Sequence, residues 1–225
     1  MKVSETNLWE QVDLYIEEKL IPADPVMDKI LAANRLADLP PIDVTPSQGK
    51  LLRIYVQMIG AARVLEIGTL GGYSAVWMAG ALRQGGKLVT LEADPRHAET
   101  ARANFALAGL EDSIELRVGY ALEQLEQLAK EGIEPFDLIF IDADKPNNPG
   151  YLQWALRFSH PGTVIIGDNV VRGGEIIDPH STDPRVAGVR TFFDLLAGMP
   201  NISATAIQTV GSKGYDGFAI GIVTG

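Results

Sequence analysis

The stretch RVLEIGTLGGYSA, residues 63–75, passes from an apolar run through a glycine-rich turn into small and apolar residues. A short apolar run bounded by glycine predicts a buried strand, and the glycines allow a tight turn into a helix. Four further apolar runs follow, separated by segments with helical periodicity: KLVTLEA, SIELRVG, FDLIFIDA and GTVIIGDN. Repetition of this strand–helix unit predicts an α/β fold, a parallel sheet with helices on both faces.

After RTFFDLLAGMP, residues 190–200, which is predicted to form the last large helix, the C-terminal part of the chain departs from this repeat. Its two apolar runs, ISATAIQTV and DGFAIGIVTG, are separated only by GSKGY, residues 211–215. Because such a short connection cannot hold a crossover helix, these two runs are predicted to form an antiparallel pair. We therefore expect five parallel strands followed by an antiparallel finish.

The N-terminal region carries helical rather than strand signals. Apolar residues recur there at helical spacing. TPSQ, residues 45–48, then offers an N-cap, a proline at the first helical position and a capping-box partner, which predicts a helix over residues 46–59. We expect a single domain over residues 1–225, in which a helical cap, residues 1–60, precedes an α/β core, residues 61–225.

Composition restricts the possible functions. The chain has 225 residues, no cysteine and a formal net charge of -10. The absence of cysteine excludes disulfides, zinc–thiolate sites and thiol nucleophiles. An acidic chain without a Lys/Arg cluster is a poor partner for nucleic acid, so a small-molecule substrate is favoured. No apolar run of about 18 residues and no signal-peptide layout is present, so we expect a cytoplasmic protein without membrane association.

Polar residues at strand ends are the first candidates for a binding site, because ligands of open α/β sheets bind beyond the carboxyl ends of the strands. Gly68, Gly71 and Gly72 follow the first strand and let the backbone lie close to a ligand, and Ser74 adds a hydroxyl. Glu92 ends the second strand, where a carboxylate can accept both hydroxyls of a ribose. Together these features predict an adenosine-type cofactor.

The spacing of the glycines and one acidic residue indicate which cofactor. The pattern G-x-x-G-G differs from the G-x-G-x-x-G of dinucleotide folds. Glu66, just before the turn, would repel a pyrophosphate but suits a cationic amine or sulfonium, which favours S-adenosylmethionine. A nicotinamide-dependent oxidoreductase, which shares the sheet and the second-strand acid, and a non-catalytic binding protein that retains only the cofactor pocket are the alternatives.

A second group of polar residues follows the fourth and fifth strands. Asp142, Asp168 and Asn169 should meet at one edge of the sheet if these strands are neighbours. Three oxygen ligands without His or Cys suit Mg²⁺, Mn²⁺ or Ca²⁺, and they leave coordination positions for an aromatic vicinal diol. Lys145 is close enough to act as a general base on the diol, or it pairs with Asp142 or Asp144 at the surface.

The chain resembles class I S-adenosylmethionine-dependent, cation-dependent O-methyltransferases of the catechol and caffeoyl-CoA type, in particular their small bacterial members. The resemblance extends from about Leu39 through Val223. It is carried by several motifs in the right order: TPSQGKLL, VLEIGTLGGYSAVWMA, VTLEADP, ARANFALAGL, VGYALEQL, FDLIFIDADK and VIIGDNVVRGG.

This resemblance implies a Rossmann-like methyltransferase fold and a role for each candidate residue. It implies that Asp142, Asp168 and Asn169 hold a divalent cation, and that Lys145 is the catalytic base with Asp142 beside cofactor and acceptor. It also implies a set of cofactor contacts: Val44, Glu66, Gly68, Thr69, Ser74, Glu92, Ala121 and Asp142.

The resemblance further implies a homodimer and a phenolic acceptor. The N-terminal helices are then expected near the acceptor site. The acceptor itself, a simple catechol, a caffeoyl-type molecule or a flavonoid, stays open. Pro146 and Pro149 in DADKPNNPGY lengthen the turn after Lys145, so acceptor shape is where we expect this chain to differ from its relatives.

Overall fold

The computed structural model describes residues 5–225, with side chains from residue 8 onward. Seven strands are formed within that part of the chain: β1 (Arg63–Ile67), β2 (Lys87–Glu92), β3 (Ile114–Val118), β4 (Leu138–Ile141), β5 (Val164–Asp168), β6 (Ile202–Gly211) and β7 (Gly214–Val223). They build one sheet in the order β3-β2-β1-β4-β5-β7-β6. Strands β1 to β5 are parallel and β7 is antiparallel to β5 and β6, which confirms the predicted sheet.

Helices precede and connect the strands. The described residues form α1 (Glu5–Leu20), α2 (Pro25–Leu36), α3 (Pro46–Ile59), α4 (Tyr73–Ala79), α5 (Pro95–Leu107), α6 (Ala121–Glu131), α7 (Asn148–Arg157) and α8 (Pro184–Gly198), and the 3₁₀ turns Lys145–Asn147 and Arg172–Ile177. None of these helices is long and apolar enough to cross a membrane.

The cap region has the predicted helical character. Helix α3 begins with the expected capping box, in which the Thr45 hydroxyl accepts from the Gln48 N–H at 3.1 Å and the Gln48 side chain accepts from the Thr45 N–H at 3.0 Å. Residues 1–4 of the cap lie outside the described residues. The division of the chain at residue 60 stays a prediction.

The core lies on both faces of the sheet because alternate side chains of a strand point to opposite sides. Val64 of β1 packs in the cluster built with α3, α4 and α5, while Leu65 and Ile67 pack in the cluster built with α6, α7 and α8. All three side chains are completely buried. Burial on both faces explains why the central strands appear in the sequence as continuous apolar runs.

Two predicted boundaries differ from the structure. Helix α8 begins before the predicted RTFFDLLAGMP, residues 190–200, because the Asp183 side chain accepts from the Arg185 N–H and caps an earlier start. Strand β4 begins only at Leu138, since the Asp137 carboxylate is engaged by backbone N–H groups of residues 62 and 63 at the start of β1.

The order of the strands fixes where a ligand can bind. Strand β1 has β2 on one side and β4 on the other, so the chain changes direction through the sheet at the β1/β4 boundary. The carboxyl ends of β1, β4 and β5 therefore meet at one edge, where open α/β sheets bind ligands. The β6–β7 hairpin reaches the same edge. Asp168 at the end of β5 is paired with Phe218 of the antiparallel strand β7, so the residues before Phe218, including the turn residues Ser212 and Lys213, extend beyond the end of β5.

Candidate functional site

The glycine-rich turn after β1 touches the end of β4 directly. Gly68 has φ of 101°, and a Cβ there would lie 2.1 Å from the carbonyl oxygen of Asp142. Gly72 has φ of 82°, and its Cβ would lie 2.4 Å from the Phe105 ring. Both conformations favour glycine, and neither position has room for a side chain. The turn therefore brings the two predicted half-sites, for cofactor and for metal, into backbone contact.

Glu92 holds this turn in shape. Its carboxylate is 8% exposed and accepts hydrogen bonds from the backbone N–H groups of Thr69 at 3.3 Å, Leu70 at 2.7 Å and Asp94 at 2.9 Å. A carboxylate with these partners fixes the path of the loop before any ligand binds. The predicted contact of Glu92 with a ribose stays a prediction.

Glu66 is a completely buried carboxyl beneath the same turn. Its oxygens accept from the hydroxyls of Ser74 at 2.5 Å and Thr90 at 2.6 Å. Burial is the main reason that the pKa of Glu66 is raised from 4.5 to about 8; the two hydroxyl donors oppose this rise, and the charges on Asp142 and Glu92 add to it. The carboxyl is thus poised to ionise when a positive charge comes close.

Lys145 and Asp142 form a pair at the end of β4. The Lys145 Nζ donates to Asp142 Oδ1 at 3.0 Å. The predicted alternative was a pair of exposed side chains, but Lys145 is only 6% exposed. A buried amine held against Asp142 is shielded from bulk solvent.

Asp168 and Asn169 extend this group from the end of β5. Asp168 is 6% exposed, and its Oδ1 accepts from the Asn169 N–H at 2.8 Å. Asn169 has φ of 54°, a left-handed conformation that asparagine tolerates better than most residues. Burial, and then the negative charge on Asp142, raise the pKa of the Asp168 carboxyl well above its ordinary range.

The chemistry of this donor set fits a hard divalent cation. Two acidic side chains close enough to raise a pKa repel each other when both are ionised, and a bound cation removes that repulsion. The residues described by the structure contain no group of three or more His, Cys, Asp or Glu side chains that could hold a metal. The predicted set has the amide oxygen of Asn169 as its third ligand, and this role stays a prediction.

A cleft of about 660 Å³ opens above these residues. Its walls bring together Val44, Asp142, Asp168, Asn169, Arg172 and Lys213. The other predicted cofactor residues, Glu66, Gly68, Thr69, Ser74 and Glu92, are joined by the contacts of the glycine turn beside it. Ala121 is the first residue of α6, two residues after Gly119, whose N–H donates to the carbonyl oxygen of Glu92 at 2.8 Å.

Some residues of the site were not predicted from the sequence. The amine of Lys213 is partly desolvated at the hairpin tip, which lowers its pKa, while the carboxylates of Asp43, Asp142 and Asp168 oppose that change. The sequence could have indicated Lys213, because an antiparallel strand beside β5 must begin at the carboxyl edge of the sheet, and Lys213 directly precedes β7.

Asn34 is a second residue that was not predicted. It is 2% exposed and links α2 to both parts of the site. Its Nδ2 donates to Asp43 Oδ1 at 2.8 Å, and its Oδ1 accepts from Asn104 Nδ2 at 2.9 Å. Asn104 also donates to the carbonyl of Gly71 at 2.8 Å. This buried chain of hydrogen bonds braces the glycine turn against the wall of the cleft.

A family model described as O-methyltransferase matches residues 19–214. Among curated proteins, the chain is 49% identical to a catechol O-methyltransferase of Niastella koreensis, an alignment that covers 96% of this chain and 98% of that protein. It is 48% identical to a catechol O-methyltransferase of Mycobacterium tuberculosis, over 94% of each chain.

Solved structures give the same result. An O-methyltransferase from Bacillus cereus in complex with SAH is 56% identical and superposes with a TM-score of 0.96, covering 97% of this chain and 100% of that one. The O-methyltransferase TomG from Streptomyces achromogenes, involved in tomaymycin synthesis and solved with SAM, is 46% identical with a TM-score of 0.96, covering 99% and 100%. These matches exclude the oxidoreductase and the non-catalytic alternatives.

Proposed function

Since the chain belongs to the O-methyltransferase family and is an S-adenosylmethionine-dependent enzyme of that family, we propose that it methylates a hydroxyl of a vicinal diphenol with the help of a divalent cation. The observation that carries this proposal is the buried group at the ends of β4 and β5. There, burial and then the charge on Asp142 raise the pKa of Asp168, Asn169 follows directly, and Lys145 donates a hydrogen bond to Asp142.

The acceptor class has independent support. The two curated relatives at 48% and 49% identity are named catechol O-methyltransferases. A cleft of about 660 Å³ accommodates a catechol and leaves room for a larger caffeoyl-type or flavonoid molecule. The acceptor proposed for this chain is therefore a catechol-like small molecule, with the substituents left open.

Asp142, Asp168 and Asn169 are the residues proposed to hold the cation, with Mg²⁺ the preferred ion and Mn²⁺ or Ca²⁺ as alternatives. When bound, the cation supplies charge stabilisation to the ionising hydroxyl of the acceptor. The contribution of the protein is to keep two acidic groups and an amide oxygen together in a buried place. Asn169 can contribute because its left-handed backbone turns the chain directly after Asp168.

Lys145 is proposed as the base that takes the proton from the acceptor hydroxyl. The bond between the methyl carbon and the sulfonium sulfur breaks as the bond to the acceptor oxygen forms, which leaves the thioether of the spent cofactor and a methyl ether. Lys145 keeps the proton until it passes to solvent. Positioning of the two reactants in line contributes much of the rate of such a transfer.

The cofactor is proposed to lie along the glycine turn. Glu92 supplies negative charge on one side of it, and Glu66 adds to this charge when the cation of the cofactor comes close and favours its ionised form, which suits a sulfonium and an amine and opposes a phosphate. The remaining proposed contacts come from the turn, the cleft wall and the start of α6: Val44, Gly68, Thr69, Ser74, Asp142 and Ala121.

A second copy of the chain is the partner we propose, with α1 and β6 at the interface. Helix α1 packs on β6, and it exposes Leu8, Val12, Leu14 and Tyr15, each 47% or more exposed. Strand β6 is an edge strand whose middle residues are exposed, and an exposed edge strand of this length favours pairing. Light scattering of the purified protein should give the mass of a dimer, and a monomer at micromolar concentration would contradict this interface.

Labelled methyl transfer to a catechol tests the proposed function. Asp168→Ala should lower the rate at least about 100-fold with Mg²⁺ present, because it removes a proposed ligand. Asp112→Ala removes the same charge from an exposed position before β3, at the opposite edge of the sheet, and should leave the rate unchanged. Equal activity of the two variants would contradict the metal assignment.

A further inference from the structure

The turn that carries Lys145 is pressed against α8. Lys145 begins the 3₁₀ turn between β4 and α7, and Gly188 of α8 is buried against that turn. A Cβ on Gly188 would lie 2.2 Å from the carbonyl oxygen of Lys145 and 2.8 Å from the Cα of Pro146. Both atoms belong to the backbone, so they cannot rotate away from an added methyl group.

The backbone conformation of Gly188 does not itself require glycine. The residue lies inside a regular helix and has no positive φ. Glycine in a helix interior is less favourable than alanine, so helix propensity does not account for it either. The close approach of α8 to the Lys145 turn is the feature that requires a residue without a side chain there.

The turn is also held by hydrogen bonds to Asp144. Its Oδ1 accepts from the Tyr151 hydroxyl at 2.5 Å, and its Oδ2 accepts from Asn147 Nδ2 at 2.6 Å. Tyr151 is 2% exposed, and its burial, together with the bond to Asp144, raises the pKa of the hydroxyl, which stays protonated and donates. The turn is thus held by two independent contacts, the packing of α8 against its backbone and the hydrogen bond from a buried tyrosine.

We propose that Gly188 and Tyr151 are positioning residues for Lys145. They fix the position of the turn so that the Lys145 amine reaches the acceptor hydroxyl. This inference rests on the proposed role of Lys145 as the base. The Lys145 side chain is only 6% exposed, so its neighbours limit how far it can adjust, and its contact with Asp142 is 3.0 Å. A backbone displacement of the size that a methyl group on Gly188 demands would move the amine out of that contact.

Substitution of two glycines in the same helix tests the proposal. Gly188→Ala should lower kcat about 10- to 100-fold, because a misplacement of about 1 Å at a reacting group costs on that order. The KM for S-adenosylmethionine and its affinity by calorimetry should change less than about twofold, because the proposed cofactor contacts other than Asp142 lie outside this turn and its partner. Gly198→Ala, at an exposed position with no atom within 4 Å of the added methyl, should behave as the wild type.

A double-mutant cycle separates positioning of Lys145 from a general effect on the fold. If Gly188 acts through Lys145, then Gly188→Ala should cause no further loss of kcat in a Lys145→Ala background. Equal losses in both backgrounds would overturn the proposal. If Gly188→Ala keeps the wild-type kcat while Lys145→Ala is impaired, the positioning role is wrong and the proposed function stands. If Lys145→Ala itself keeps the wild-type kcat, both the positioning role and the proposed role of Lys145 as the base are wrong.

Tyr151→Phe gives the same information if Gly188→Ala yields no folded protein. It keeps the buried ring and removes only the donor to Asp144. We expect kcat to fall several-fold with unchanged cofactor affinity, and again no further fall in the Lys145→Ala background. Unchanged kcat in Tyr151→Phe would then overturn the proposal.

Discussion

Replacement of Glu66 by glutamine should change how stability depends on pH. The pKa of Glu66 is raised from 4.5 to about 8 in the folded protein, chiefly by burial. At about 1.4 kcal/mol for each unit of pKa, the protonated carboxyl favours the folded state by about 5 kcal/mol relative to the ionised one. Because the folded pKa is the higher of the two, this stabilisation is complete below pH 4.5 and is lost as the pH rises through about 8.

The measurement is urea unfolding of the wild type and of Glu66→Gln, in a chelator and without cofactor. Between about pH 5 and about pH 8 the wild type should lose about 3 kcal/mol more of its unfolding free energy than the variant, whose amide does not titrate. The comparison cancels the groups that the two proteins share. Curves that run parallel over this range would show that Glu66 is already ionised in the folded protein, and would refute the account of its environment.

Gly68→Ala should lower the unfolding free energy by more than about 3 kcal/mol, because the added methyl group meets the Asp142 carbonyl. Gly85→Ala is the control: Gly85 also has a positive φ, 77°, but no atom lies within 4 Å of the added methyl group, so the loss should be only about 1–2 kcal/mol. Equal losses in urea unfolding would contradict the close contact. Asn34→Ala should lower the unfolding free energy by about 1–3 kcal/mol and weaken binding of S-adenosylmethionine several-fold in calorimetry, because it leaves buried hydrogen-bond partners unpaired. Unchanged affinity would show that the hydrogen bonds of Asn34 and Asn104 do not support the glycine turn. Binding of Mn²⁺, followed by its electron paramagnetic resonance signal, should strengthen as the pH rises from about 6 to about 8, because the raised pKa of Asp168 lets protons compete at low pH. A flat profile would contradict that competition.

The sequence was sufficient for the sheet because its signals are local. Five apolar runs with helical segments between them predict a parallel sheet, and a connection of a few residues predicts the antiparallel pair. The same logic placed Asp142 and Asp168 at one edge, since both follow strands directly. Thr45 and Gln48 identified the start of α3 because a capping box is read from four consecutive residues.

The contacts that were not predicted join residues that are distant in the sequence. Glu92 turned out to bind backbone N–H groups of the glycine turn, and such groups leave no trace in the residue types. Asn34 and Asn104 are 70 residues apart and form one hydrogen bond. Gly188 is close to Lys145 only after α8 has packed, and a glycine in an apolar helix gives no indication of what it approaches.

Methyl transfer with matched acceptors tests the central claim most directly. Initial rates with labelled S-adenosylmethionine would be measured on a vicinal diphenol and on the corresponding monophenol, each with Mg²⁺ and with a chelator. Cation-assisted transfer predicts rapid methylation of the diphenol with Mg²⁺, a loss of at least about 100-fold with the chelator, and little methylation of the monophenol. If the monophenol is methylated as fast as the diphenol, and the chelator does not slow its methylation, cation-assisted transfer is wrong.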